Sequence, residues 1–275
     1  MTAKQVWTVI SEAVIHFDKD DGWAMASHVA LSTLLALFPF LIFATSLASF
    51  VGADAFADTA IHIIFDTWPE SIAKPISEQV LTVLTVNRGG LLTISVLMAL
   101  FFASNGVEAL RVALNRAYRV ESRRSAVFNR AQSLGFVILA TLILLAISFL
   151  VVLAPLLTDA LRQWAPWSDE LVSHLNNWRL VVAVVLLFVG LIVCHRWLPA
   201  GYRPIGAILP GILVTMFFWM AGAMAFSAYL QQFSTYVATY AGLASIMIAL
   251  IFLYIVAAIF ILGAELNASI LALRK

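Results

Sequence analysis

The stretch that decides the fold is LGFVILATLILLAISFLVVLAPLL, residues 134–157, which contains no charged side chain. A helix that crosses the hydrocarbon core of a bilayer needs about 20 mostly apolar residues. This stretch is long enough, and residues 180–194 form another that is equally free of charge. Together they predict an all-α, polytopic membrane protein.

The composition of the whole chain supports that class. Of its 275 residues, 63% are hydrophobic and 11% are charged, and the mean hydropathy is +0.98. A soluble domain has about 25% charged residues and under about 50% apolar ones, so an ordinary soluble domain is excluded. The formal net charge of +1 gives no global basic field for nucleic acid. The single cysteine, Cys194, excludes an intrachain disulfide.

Six apolar segments predict six transmembrane helices within a single membrane domain that covers residues 1–275. Pro39 interrupts the first segment and Pro210 the fifth, and each predicts a helix kink. The predicted spans are residues 25–51, 91–110, 134–157, 180–198, 205–229 and 242–273.

Two segments outside these spans are predicted to be helical. Residues 1–22 contain an amphipathic helix over 3–17, because Val6, Ile10, Val14 and Phe17 recur at helical spacing. This helix is too short to span, so it is predicted to lie along the inner membrane face, with docking to a partner as the alternative. The long external loop between the first two spans is predicted to hold helices near 57–66 and 70–86, either capping the bundle or forming a re-entrant hairpin.

The basic residues predict the orientation. Twelve of the 16 Lys and Arg residues fall on one side of the six-span map and four on the other. The side rich in Lys and Arg is cytoplasmic, so both termini are predicted to be cytoplasmic. The arginine-rich segment Arg111–Arg130 is predicted to be a short helical extension whose side chains meet anionic lipid headgroups. Asp20 or Asp21 is predicted to cap the first spanning helix.

Polar residues inside the spans are the candidate functional residues, because an ionisable group in hydrocarbon costs about 2.5–3.5 kcal/mol. In the first span, His28 and Ser32 lie one turn apart. They either hydrogen-bond to neighbouring helices or line a polar cavity beside the Pro39 kink.

Two further polar groups lie in the half of the membrane that is predicted to face the cytoplasm. The second span ends with Asn105 and Glu108, and the sixth carries Glu265 and Asn267. Glu265 has no basic residue within direct reach on its own helix, so it forms a buried ion pair, belongs to a substrate or proton path, or extends to the headgroups. The expected bridging cations are Arg111 and Arg203.

Three blocks of sequence carry a family pattern. They are ASHVALSTLLALFP at 26–39, NGVEALRVALNRAY at 105–118, and a third block that runs from Leu198-Pro199 through Pro210-Gly211 to GAELN at 263–267. In these blocks the chain resembles the YihY/virulence-factor BrkB family of bacterial inner-membrane proteins, once labelled ribonuclease BN-like. One departure is Tyr240-Ala241-Gly242, where the family tends to have Tyr-Gly. The resemblance implies a six-helix inner-membrane fold and a role in envelope transport or resistance, without a substrate.

The sequence argues against the ribonuclease label. Phosphodiester hydrolysis commonly uses metals held by His and carboxylates, and none of the five histidines is paired at metal-ligand spacing. No enzyme activity, cofactor, metal or nucleic-acid partner is therefore expected. The partners expected are membrane lipids and a small-molecule or lipid substrate.

Two functions remain open on the sequence, while a third, a membrane enzyme, lacks any recognisable nucleophile or metal cluster. The chain is either a transporter or lipid-translocating protein with a polar cavity that faces the cytoplasm, or a non-transporting scaffold of the envelope. The two are distinguished by whether Glu265, Asn267 and Asn105 meet at a wet cavity or at a dry, ion-paired helix contact.

Overall fold

A computed structural model describes residues 2–51, 89–122, 124–150, 169–232 and 241–273. These residues contain helices and connecting turns but no strand, which confirms the all-α prediction. The helices predicted within 57–86 lie outside the described residues. The described helices are α1 (Ala3–Lys19), α2 (Gly22–Val51), α3 (Gly89–Ala117), α4 (Ala126–Ser148), α5 (Asp169–Trp197), α6 (Ile205–Gln232) and α7 (Ala241–Leu273).

Five of these helices contain a segment that is long and apolar enough to cross a membrane. The predicted first span is helical as part of α2, and the apolar segment found in its described part, Gly22–Leu37, is shorter than the other five. The protein is therefore a multi-pass membrane protein, and the count of six spans stays a prediction. The five segments are Val96–Ala117, Ala126–Ile147, Trp178–Trp197, Ile205–Tyr229 and Ile246–Leu273.

The connection between α3 and α4 differs from the prediction. Helix α3 continues past the predicted end of its span and stops at Ala117. Arg119 then has a φ of 54°, a left-handed conformation that cannot continue a right-handed helix. Helix α4 starts again where the Ser125 side chain accepts a hydrogen bond from the Phe128 N–H at 3.2 Å. The prediction of one helical extension across Arg111–Arg130 is therefore wrong at residues 118–122, while Arg130 lies in the next helix, α4.

Helix α1 begins with a capping box. The Gln5 N–H donates to the Thr2 hydroxyl, and the Thr2 N–H donates to the Gln5 side chain at 2.9 Å. The buried stripe consists of Val9, Ala13 and Phe17. Of the predicted stripe, Phe17 is buried within the protein, and the position of this helix on the membrane face stays a prediction.

The other three predicted members of that stripe, Val6, Ile10 and Val14, are exposed. The helix therefore has apolar side chains on two faces, one buried against the protein and one on the surface. The periodicity alone could not tell which of the two faces packs inward.

The chain divides into two compact units. The first consists of residues 1–22, 111–217 and 260–275, and the second of residues 23–110 and 218–259. In the first unit, α4 packs against α5, where Gly190 lies close to the Ile143 side chain. In the second unit, the Trp219 indole N–H donates to the Val256 carbonyl at 2.9 Å.

Candidate functional site

The residues predicted to form the functional site are divided between the two units. Arg111, Arg203, Glu265 and Asn267 belong to the first unit together with Pro210. The second unit contains His28, Ser32, Asn105, Glu108 and Pro39. In the second unit His28 is exposed, whereas Asn105 and Glu108 are half-buried. The contacts described below all lie within the first unit.

Glu265 is buried in α7, with 1% of its surface exposed. Its Oε2 atom lies 3.0 Å from Nη2 of Arg119, in the turn after α3. Its other oxygen, Oε1, is buried and has no hydrogen-bond partner. The cation that pairs with Glu265 is therefore Arg119, whereas the sequence led us to expect Arg111 or Arg203.

The corner between α1 and α2 brings two acids to the same turn. The Asp21 carboxylate accepts from Arg116 at 3.2 Å, and the Asp20 carboxylate lies 3.9 Å from Nη2 of Arg119. Both aspartates therefore face arginines at the end of α3 or in the turn after it, and their role as caps of α2 stays a prediction. Arg116 and Arg119 thus form ion pairs within the protein, and their contact with lipid headgroups stays a prediction.

Asn267 links α7 to α6 through its side-chain amide. The Gly211 N–H donates to Oδ1 of Asn267 at 2.7 Å. That bond fixes which end of the amide is the oxygen. The nitrogen, Nδ2, consequently donates to the Tyr118 hydroxyl at 3.3 Å. Asn267 is fully buried and bonded on both ends.

The Tyr118 hydroxyl continues the chain of hydrogen bonds to α5. Its oxygen lies 2.8 Å from Nδ1 of His195. Because Asn267 already donates to this oxygen, the single hydroxyl proton is available for His195. This arrangement makes Nδ1 the acceptor and places the proton of a neutral imidazole on Nε2. His195 is fully buried, and its Nε2 atom has no hydrogen-bond partner.

Arg203 covers the other side of Tyr118. Its guanidinium carbon lies 3.9 Å from the centroid of the Tyr118 ring, a cation–π contact. It also donates to the Ala200 carbonyl at 2.7 Å. Burial raises the pKa of the Tyr118 hydroxyl well above its ordinary range, and burial lowers the pKa of Arg203. Tyr118 is therefore a neutral hydrogen-bonding group throughout the physiological range.

The helices α6 and α7 approach closely at this site. A Cβ added to Gly211 would overlap the Gly263 carbonyl oxygen and the Asn267 side chain, and a Cβ on Gly263 would overlap the Thr215 hydroxyl. Gly211 and Thr215 are one turn apart on α6, as Gly263 and Asn267 are on α7. Small residues at this spacing let two helix backbones meet, and here they bring Asn267 to the Gly211 N–H.

The site contains buried polar atoms with unused hydrogen-bonding capacity. Buried polar side-chain atoms are normally paired with protein or ordered water. Those without a hydrogen-bond partner can take a proton, a water molecule or a polar group of a substrate. In the first unit they include His195 Nε2, Thr215 Oγ1, Glu265 Oε1 and Ser269 Oγ.

Metal chemistry has no ligand set in the part of the chain that the structure describes. Those residues contain no group of three or more His, Cys, Asp or Glu side chains that could hold a metal ion.

Several site residues were not predicted from the sequence. Arg119 was one of several basic residues in a loop, and its partner Glu265 is 146 positions away. Tyr118 belongs to the second block of the family pattern, and His195 ends an uncharged apolar stretch. An ionisable residue at the end of such a stretch is the signal that could have identified His195.

Comparison with known proteins identifies relatives of this chain. Residues 13–274 match the family model described as Virulence factor BrkB. The chain is 27% identical over 259 residues to the ribonuclease-like protein YfkH of Bacillus subtilis, covering 94% of each protein. It is 31% identical over 251 residues to a UPF0761 membrane protein of Coxiella burnetii, covering 88% of this chain and 85% of the relative. A UPF0761 membrane protein of Tolumonas auensis is 26% identical, with 90% and 80% covered. No solved structure matches the chain.

Proposed function

This chain belongs to the BrkB virulence factor family of membrane proteins, and from that premise we propose that it translocates a lipid across the bacterial inner membrane. A small molecule is the alternative substrate class. The observation that carries the proposal is the environment of Glu265. A carboxyl group that is buried in an apolar helix, with one oxygen ion-paired and the other unbonded, is costly to maintain.

The network around Glu265 supports a working site rather than a simple anchor. A purely structural ion pair is stable when its remaining lone pairs are satisfied. Here Glu265 Oε1 and, in the same unit, His195 Nε2 are both left without hydrogen-bond partners. These groups offer an acceptor and a donor to a polar headgroup or a proton. Because the sequence contains no ATP-binding motif, the transport proposed is passive or ion-coupled.

The proposal includes an orientation in the membrane. Both termini are cytoplasmic, as the asymmetry of Lys and Arg residues favours. A reporter fused after Lys275 and a second inserted near Asp66 should report opposite sides of the membrane. The same side for both would contradict the orientation.

The direct test of transport uses purified protein in phospholipid vesicles. A fluorescent phospholipid is present in both leaflets, and a membrane-impermeant reductant is added outside. The proposal expects the reductant to remove nearly all fluorescence, because inner-leaflet lipid is brought outward. In empty vesicles about half of the fluorescence should remain, since lipids hardly cross an intact bilayer and the reductant cannot reach the inner leaflet. If the same fraction of the fluorescence remains in protein-containing vesicles, lipid translocation is contradicted.

A non-transporting envelope scaffold is the second candidate. The close contact of Gly211 with Gly263 and the bonds of Asn267 favour it, because they form a tight helix contact in which the Asn267 amide is paired at both ends. A scaffold would leave lipid flux at the rate of empty vesicles and would be retained with a partner after mild detergent extraction.

The proposal further holds that the protein is not an enzyme and needs no cofactor or nucleic-acid partner. The ribonuclease-like name of the Bacillus subtilis relative belongs to that protein. Incubation of purified protein with labelled RNA, with and without divalent metal ions, should leave the RNA intact. Cleavage that is lost in a single-residue variant would contradict this part of the proposal.

A further inference from the structure

Among the ion pairs of the described residues, the acids around Arg119 outnumber the basic groups that pair with them. Arg116 is taken up by Asp21, at 3.2 Å. Arg119 is left to face both Asp20, at 3.9 Å, and Glu265, at 3.0 Å. Two carboxylates against one guanidinium leave one negative charge uncompensated. A buried charge without a partner is unfavourable.

The oxygen atoms that lack partners belong to the same two acids. Asp20 Oδ2 and Glu265 Oε1 are both buried and have no hydrogen-bond donor. Both carboxyl groups face the same atom, Nη2 of Arg119, at 3.9 Å from Asp20 and 3.0 Å from Glu265. Ionised carboxylates only accept hydrogen bonds, so neither can satisfy the other while both are charged. A single proton between them supplies the missing donor and removes the excess charge.

We infer that Asp20 and Glu265 form a binding site for one proton, with Arg119 as the clamp that holds both carboxyl groups. The proton joins the two groups as a carboxylic acid and a carboxylate. The Arg119 guanidinium balances the negative charge that remains. The pair therefore connects the corner after α1 to the transmembrane helix α7.

The two acids have different access to water. The Asp20 side chain is 30% exposed, whereas Glu265 is 1% exposed. Asp20 is therefore the outer member, through which a proton enters and leaves. The next ionisable side chain that interacts with Glu265 is Tyr118, a neutral phenol with Arg203 over its ring. Asp20, Arg119 and Tyr118 are thus the groups that set the charge around Glu265.

This inference deepens the proposed function, since it names a proton as the coupling ion, and it rests on that function only for this role. Proton binding itself is measured at equilibrium, without transport. If no proton is bound but lipid flux is intact, the proton site is rejected and the transport proposal is not. If the proton is bound but no lipid flux is measured, the transport proposal is rejected and the proton site is not.

The experiment is infrared spectroscopy of the full chain in lipid nanodiscs as the pH is varied. A protonated carboxyl group has a carbonyl band that a carboxylate lacks. We expect this band to persist at neutral pH in the wild type and to disappear in both Glu265→Gln and Asp20→Asn. In each variant the new amide N–H replaces the proton as donor, so the remaining acid ionises. Asp20→Asn changes a half-exposed side chain, which keeps the test decisive even where Glu265→Gln fails to fold.

The control is Glu121→Gln, because Glu121 is an exposed acid in the same turn region. This variant should retain the band. Absence of the band in the wild type at neutral pH would overturn the inference, as would its survival in both Asp20→Asn and Glu265→Gln. Loss of the band when sodium replaces potassium at constant pH and ionic strength would also overturn it, because a metal cation would then occupy the site.

Discussion

Gly211 and Gly263 face each other across the contact between α6 and α7, so closely that a methyl group on Gly211 would overlap the Gly263 carbonyl oxygen. The contact brings the Gly211 N–H to 2.7 Å from the Asn267 side chain. Asn267 in turn orients Tyr118, and Tyr118 orients His195. The polar network therefore depends on glycine at positions 211 and 263, because a side chain at either position would keep α6 and α7 apart.

The substitution Gly211→Ala is expected to destabilise the protein. Overpacking of a tight contact typically costs about 1–3 kcal/mol, and this contact also holds the Asn267 hydrogen bond. Gly206→Ala is the matched control, since a Cβ there meets nothing within 4 Å. Thermal unfolding in detergent should give a lower Tm for Gly211→Ala than for Gly206→Ala. Equal Tm values for the two variants would show that α6 and α7 can move apart without loss of stability.

The hydrogen bonds of Asn267 and Tyr118 should be energetically coupled. Asn267→Ala leaves the buried Gly211 N–H without its acceptor, which costs about 1–3 kcal/mol. Tyr118→Phe removes the hydroxyl that receives Nδ2 of Asn267. Because the two residues share one network, the double variant should lose less stability than the two single losses added together. Chemical unfolding of the four proteins measures this difference, and simple additivity would argue against a shared network.

Two arginines of the same turn region should differ in their importance. Arg116 and Asp21 are both largely exposed, at 46% and 68%, and such surface pairs contribute under about 1 kcal/mol. Arg119 pairs with the buried carboxylate of Glu265. In Arg119→Gln this carboxylate would lose its positively charged partner. Because Arg119 is itself half-exposed, solvent screening reduces the expected loss of stability in Arg119→Gln. The decrease in Tm should still be larger for Arg119→Gln than for Arg116→Gln. A Tm that falls equally in both variants would contradict the difference in burial.

The Tyr118 hydroxyl makes stability depend on alkaline pH. Burial raises its pKa above the ordinary value of 10.0, so the folded state keeps the proton while the unfolded state releases it. The resulting stability is fully present below pH 10 and is lost as the pH rises further, by up to about 1.4 kcal/mol per pH unit. Tyr118→Phe should therefore show a shallower loss of Tm above pH 10 than the wild type. Parallel curves would indicate that the hydroxyl is open to water.

The sequence predicted the spanning helices because the bilayer requires a minimum length of apolar residues. The boundaries were less accurate, since hydropathy locates the membrane rather than the end of a helix. Helix α4 begins at Ala126 and includes Arg130, whereas the apolar run begins only at Leu134. The local bond that starts the helix, from Phe128 to Ser125, lies outside that run.

The candidate site was predictable only in part. Glu265 and Asn267 were singled out because polar groups in hydrocarbon are costly, and both lie in the network. Their partners could not be named, because Tyr118 and Arg119 reach them across about half the chain. The left-handed conformation of Arg119 sets its direction, and no periodicity in the sequence encodes it.

The central claim is that Glu265 serves transport rather than helix packing alone, and the rate of lipid translocation by Glu265→Gln tests it most directly. The assay is the vesicle measurement with fluorescent phospholipid, with Glu121→Gln as the control and a Tm measured on each preparation. We predict that Glu265→Gln remains folded and translocates lipid no faster than empty vesicles allow, while Glu121→Gln matches the wild type. A folded Glu265→Gln variant that translocates lipid at the wild-type rate would contradict the claim.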